Sequence, residues 1–130
     1  GFPGRSAMEA GIMISGGSDW SVATLDPMVG LHALVTRRLE PLEEGDVLNP
    51  EEAVSVMDAI RMYTYNGAYT VSEEDIKGSL EEGKLADIAV LSDDILSIPP
   101  DQIRDLTAVM TMVDGKIVYE VEGVLNRDRD

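Results

Sequence analysis

The sequence predicts an α/β chain in one compact unit, and three observations carry that prediction. A short apolar run, Ile12-Met13-Ile14-Ser15, halts at Gly16-Gly17 and is followed by a helical pattern. Asn49-Pro50-Glu51-Glu52 reads as the opening of a further helix. Asp114-Gly115 stands between two apolar runs as a hairpin turn. With 130 residues and 44% hydrophobic content, the chain is long enough for one core.

The elements follow in order. Ser6 to Glu9 reads as the end of a helix closed by Gly11 in a left-handed cap, and Ile12 to Ser15 as a buried strand that brings Asp19 to the rim of a sheet. After a loop, Asp26 caps a helix with Pro27 in its first turn. Met28, Leu31, His32, Leu34 and Val35 recur at helical spacing up to Arg37-Arg38, whose charges suit a helix C-terminus. Leu39 to Leu48 is acidic and reads as a surface loop. The helix opened at Asn49 would bury Ala53, Met57 and Ile60, with Val56 and Tyr63 beside them, and Thr64 would cap a shorter piece through Tyr69. Gly83-Lys84 reads as a turn and Ala86 to Leu91 as a buried strand. Pro99-Pro100-Asp101 opens a helical turn through Leu106, and Val109 to Val113 pairs with Lys116 to Val121 across the hairpin. The polar end from Gly123 to Asp130 reads as frayed.

Charge narrows the partners. There are 25 Asp and Glu against 10 Lys and Arg, a formal net charge of −15. No basic stripe exists to neutralise phosphates, so nucleic acid and anionic membrane are excluded as partners. Lys77, Lys84 and Lys116 are the lysines, and the carboxylates spread along the whole chain. That pattern suggests a halophilic protein kept soluble where salt screens self-repulsion; the plainer reading is an acidic soluble protein. No signal peptide or membrane-length apolar run is visible, and a chain without cysteine says nothing of redox compartment, which leaves a cytoplasmic location as the default.

Asp19 is the candidate reactive group. A carboxylate at the carboxyl end of a strand stands where barrel and open α/β enzymes place catalytic side chains, able to hold a divalent metal or take a proton from water. The competing reading is a turn cap that accepts backbone N–H groups, and the Ser-Asp composition favours it. His32 lies among apolar helix residues without ligand spacing around it and is rejected as a metal ligand. Gly16-Gly17-Ser18 lacks the lysine and the immediate helix of a phosphate loop, so a tight turn is the better reading. Glu43-Glu44, Glu73-Glu74-Asp75, Glu81-Glu82 and Asp93-Asp94 are explained as solvated surface.

The order of these pieces resembles the carboxyl-terminal part of the metal-dependent amidohydrolase superfamily, in the branch called amidohydrolase family 3, which includes formamide-deformylase-like enzymes. The resemblance rests on Gly16-Gly17-Ser18-Asp19 after an apolar run, Asp26-Pro27-Met28-Val29-Gly30 leading to Val35-Thr36-Arg37-Arg38, and Asn49-Pro50-Glu51-Glu52-Ala53 leading to Tyr63-Thr64-Tyr65-Asn66-Gly67-Ala68-Tyr69. It continues through Gly78 to Leu91, with Gly83-Lys84-Leu85-Ala86-Asp87 its most specific text, and closes on Asp114-Gly115-Lys116-Ile117-Val118-Tyr119.

The resemblance implies an α/β fragment: the last strand and helices of a (β/α)8 barrel, residues 1–76, then carboxyl-terminal strands of a small β-sandwich, residues 77–122, and a frayed tail, residues 123–130. Asp19 matches the family aspartate that binds the metal and serves as general base for the attacking water. The cofactor implied is a divalent metal, zinc in the first instance. Its other ligands, histidines after the first, fifth and sixth strands and a bridging carboxylated lysine, would precede residue 1, and His32 matches none of them. Trp20 and the loop to Asp26 would line the substrate pocket. The implied activity is hydrolysis of a small-molecule amide or cyclic amide at a non-peptide C–N bond, with the isolated chain inactive. A barrel strand without neighbours leaves an unpaired edge and an uncovered face, so a homo-oligomer or association with an amino-terminal part is expected. The alternatives are a non-catalytic structural or oligomerisation segment, and an anion-binding module built on Gly16-Gly17-Ser18, which the net charge disfavours.

Overall fold

A computed structural model of the chain describes residues 2–38 and 47–123. Most of the expected loop from Leu39 to Leu48 and of the expected frayed tail therefore lies outside the described residues. The elements are α1 (Gly4–Glu9), α2 (Pro27–Thr36), α3 (Val56–Tyr63), α4 (Tyr65–Thr70), β1 (Ile88–Leu91), β2 (Ala108–Val113) and β3 (Lys116–Glu120), with 3-10 turns at Pro50–Glu52 and Pro100–Asp105. Among the described residues no helix is long and apolar enough to cross a membrane.

Helix α2 forms as its sequence dictates. The Asp26 carboxylate accepts the Met28 N–H at 2.9 Å, and Pro27 fills the first position, where no donor is needed. Arg37 ends the helix in the left-handed region at φ 59°, donating its N–H to Ala33 at 3.0 Å. Gly11 likewise closes α1 with φ 78°.

Helix α3 begins later than the sequence suggests. Asn49 takes φ 51°, Pro50–Glu52 makes one 3-10 turn, and Ala53 is extended. The helix starts at Ser55, whose hydroxyl accepts the Asp58 N–H at 3.1 Å and donates to the Asp58 carboxylate at 2.6 Å. This side-chain cap at Ser55 satisfies an orphan donor that Asn49 does not reach. The extended stretch sends Val54 into the core, held by its N–H to Leu34 at 3.2 Å, so the helix buries Ala59 and Met62. Met57, expected inside, is 50% exposed. Thr64 does stand between α3 and α4, but its hydroxyl bonds back to Ile60 at 2.8 Å instead of capping α4.

The sheet is antiparallel in the order β1-β2-β3, with Val113 paired to Lys116 across the turn. Asp114 and Gly115 take φ 48° and 73°, the pair of positive values that a tight primed hairpin turn requires. The Gly83 to Asp87 motif anchors this hairpin. The Asp87 carboxylate accepts the Asp114 N–H at 2.8 Å, and Gly115 donates to Ala86 at 3.1 Å. Lys84, 13% exposed, reaches Ser79 at 2.7 Å and Glu81 at 2.8 Å and lies 5.6 Å over the Tyr65 ring. Strand β1 is shorter and more open than expected: it spans Ile88–Leu91 at the edge of the sheet, with Ala89 and Val90 exposed.

Ile12 to Ser15 is not a strand here. No ladder partner pairs with it among the described residues, and its polar backbone groups turn to the helices instead, Gly16 N–H to Met62 at 2.8 Å and Ile14 carbonyl from Asn66 at 2.7 Å. The core lies between α2, α3 and the second 3-10 turn: Met28, Leu31, Val54, Ala59, Met62, Ile95, Ile103 and Leu106. Ile103 and Met62 are its largest enclosed side chains. Ile103→Ala is expected to cost about 2–5 kcal/mol, read as a lower urea midpoint with the slope unchanged. A loss below about 1 kcal/mol would mean that the turn is not part of the core.

Helix α1 is fastened by one carboxylate. Glu52 accepts the Ser6 hydroxyl and, at 2.9 Å, the Ser6 N–H. The Ser6 hydroxyl, then its N–H, hold the Glu52 carboxyl below its ordinary value of 4.5. A carboxyl depressed in the folded state adds stability above its ordinary value, and that part is lost as pH falls from 4.5 through the lower folded value. The protection of α1 amides, measured against their intrinsic exchange at each pH, is expected to fall over that window. Glu52→Gln should flatten this pH dependence, and an unchanged profile would remove Glu52 as its source.

Candidate active-site loop

Asp19 sits in the segment from Gly17 to Leu25, between the extended stretch 12–16 and the capped start of α2. It takes φ 51° and its carbonyl accepts the Val22 N–H at 2.7 Å, so the backbone turns sharply at the carboxylate. Asp19 is exposed and Trp20 is 65% exposed. Neither of the two side chains lines the main cleft, which encloses about 770 Å³. The cleft is walled by Ser15 to Ser18 and by Val22, Ala23, Thr24 and Asp26 of the same loop, by His32, Arg37 and Arg38, and by Tyr63 and Arg104.

The loop is tied at both ends. At its start stand the Gly16 and Ile14 bonds to Met62 and Asn66. At its end the Asp26 N–H reaches the Thr24 hydroxyl at 3.2 Å while the Asp26 carboxylate caps α2. Tyr63 fills the space between. A Cβ on Gly16 would run into Cε2 and Cδ2 of its ring, and a Cβ on Gly30 into its hydroxyl, with Cζ only 2.8 Å away. Burial raises the Tyr63 phenol above its ordinary value of 10.0, so it stays protonated across the neutral range.

The sequence pattern places Tyr63 at the flank of an apolar face and assigns Asn66 no role. The available signal was a pair of glycines, Gly16 and Gly30, one of them inside a helix where glycine weakens the element unless something approaches closely. Arg37, expected to answer a helix dipole at the surface, is 7% exposed and donates Nε to the Leu48 carbonyl at 3.0 Å. His32, 6% exposed on α2, faces the core and the cleft.

Among the described residues no three His, Asp or Glu side chains converge as a metal-binding group. Asp19 is one carboxylate donor, and a catalytic zinc centre takes about three protein ligands. The residues present do not by themselves fit a metal.

The described helices and small antiparallel sheet make an amidohydrolase-like fold. Its fold is similar to that of an amidohydrolase from Thermotoga maritima MSB8, with a TM-score of 0.64 and 21% identity, over 88% of this chain and 24% of that one. Residues 2–119 match the model of the amidohydrolase family, and the chain belongs to that family. It is 36% identical over 122 residues to the N-substituted formamide deformylase of Arthrobacter pascens, covering 94% of this chain. It is 34% identical over 119 residues to YtcJ of Bacillus subtilis strain 168, named as an amidohydrolase, covering 92% of this chain. The chain spans 22% of the length of each of these two relatives.

Proposed function

We propose that this chain is the carboxyl-terminal segment of a metal-dependent hydrolase that cleaves non-peptide C–N bonds in small amides or cyclic amides. The supporting observation is the family match over residues 2–119, joined to 36% identity with an N-substituted formamide deformylase over 122 residues. N-substituted formamides are accordingly the first substrate class to try. Residues 1–76 close a (β/α)8 barrel in this reading, with Ile12 to Ser15 pairing as its eighth strand once neighbouring strands are present, and residues 77–122 return to a β-sandwich.

Asp19 takes the proton of the attacking water with its carboxylate as the new C–O bond forms. The proton then passes to the leaving nitrogen as the C–N bond breaks, releasing an acid and an amine. A divalent metal, zinc in the first instance, would supply the acidity that makes such a water reactive near neutral pH. Asp19 would offer it one oxygen, with the remaining ligands supplied by residues other than those described. Trp20, beside Asp19, faces the substrate in this arrangement.

The test is hydrolysis of a panel of N-substituted formamides by the longer polypeptide, loaded with zinc, beside the 130-residue chain alone. Turnover by the first and none by the second is expected. Hydrolysis of no amide by the metal-replete longer polypeptide would overturn the assignment.

A further inference from the structure

Three contacts converge on the short path that leads to Asp19, and all come from the junction of α3 and α4. Asn66 donates Nδ2 to the Ile14 carbonyl at 2.7 Å across a separation of 52 residues. The Met62 carbonyl accepts the Gly16 N–H at 2.8 Å. The Tyr63 ring lies against Gly16 through Cε2 and Cδ2 and against Gly30 of α2 through its hydroxyl, close enough that neither position accepts a methyl group. Gly16 stands at the start of the loop that carries Asp19 and Gly30 one turn into the helix that follows it, so Tyr63 is a spacer between the loop's entry and α2.

We infer that Tyr63 and Asn66 are positioning residues for the Asp19 loop, Tyr63 by setting the distance between the loop's entry and α2 and Asn66 by fixing the height of the strand-like segment that enters it. This rests on the proposed role of Asp19. The physical argument is one of leverage. Asp19 is three residues beyond Gly16 and makes a sharp turn of its own, so a displacement of the Gly16 backbone is carried directly to the carboxylate. A misplacement of about 1 Å at a reacting group costs on the order of a hundredfold in rate. Tyr63 is half-buried and also packs against the core beside Ala59 and Met62, so the test has to separate placement of residues 12–19 from a loss of core packing.

The experiment uses the longer polypeptide, metal-replete, with an N-substituted formamide as substrate. Asn66→Asp keeps the side-chain size but removes the donor, and Tyr63→Leu removes the spacer. Each is expected to lower kcat about tenfold to a hundredfold with KM held within about threefold. Hydrogen exchange of residues 12–19 should accelerate at least about tenfold, with the rest of the chain unchanged. Unaltered kcat overturns the inference. So does a fall in kcat that tracks a general loss of folded protein, or one without faster exchange at 12–19, because either marks a structural role only. Gly16→Ala, which pushes the loop off the ring from the other side, replaces Tyr63→Leu if that variant does not fold. If Asp19→Asn leaves turnover intact, the role of Asp19 falls separately, and exchange at 12–19 in Asn66→Asp alone decides whether the clamp exists.

Discussion

Asp19→Asn in the longer polypeptide is expected to lower turnover about 10²–10⁴-fold, the range over which a positioned general base accelerates proton transfer. Asparagine keeps the shape of the side chain and can still offer one carbonyl oxygen, but it has no basic site for the proton of water. The loop should be undisturbed, since Asp19 is exposed and its turn is held by a backbone bond to Val22. Circular dichroism and metal analysis of the variant are therefore expected to match the parent while kcat falls. Unchanged turnover with a full metal complement would refute the assignment of Asp19, and loss of metal in step with loss of rate would reduce its role to that of a ligand.

The 130-residue chain by itself is expected to associate with copies of itself in high salt. Large apolar side chains stand in water among the described residues: Phe2 is 78% exposed, Val22 82%, Leu25 66% and Val118 62%. Strand β3 is exposed along its whole length and ends the sheet as a free edge. The net charge of −15 opposes association at low salt. Raising the salt from about 0.1 M to about 1 M shortens the screening length from about 10 Å to about 3 Å and leaves the apolar term in control. Size-exclusion chromatography with light scattering should then give a mass of two or more chains. A well-folded monomer at high salt would show that the exposed faces need no cover.

What was legible beforehand follows the range of the interactions involved. Asp26-Pro27 as a helix start and Asp114-Gly115 as a hairpin both appear where the sequence places them, because each depends on its own dihedrals and on donors a few residues away. The helix expected at Asn49 fails for one local reason and one distant one. Ser55 with Asp58 makes a better cap than Asn49 with Glu52, and Glu52 is committed to Ser6 in a different element. Of the site, the sequence offers Asp19 and its loop, its local composition favouring a turn cap and the family resemblance a catalytic carboxylate. Family membership came from the ordered text of residues 16–119, not from any single group.

The sequence by itself determined the family, the capped start of α2, the hairpin and the single carboxylate on its loop. Only the tertiary structure decided which face of α3 is buried, that Ile12 to Ser15 bonds to helices in place of a sheet, and that Tyr63 stands between Gly16 and Gly30. The physical reason is separation along the chain. Caps and turns are settled by neighbours within a few positions, whereas the bond from Asn66 to Ile14 closes a span of 52 residues, and its existence depends on every element folded between them.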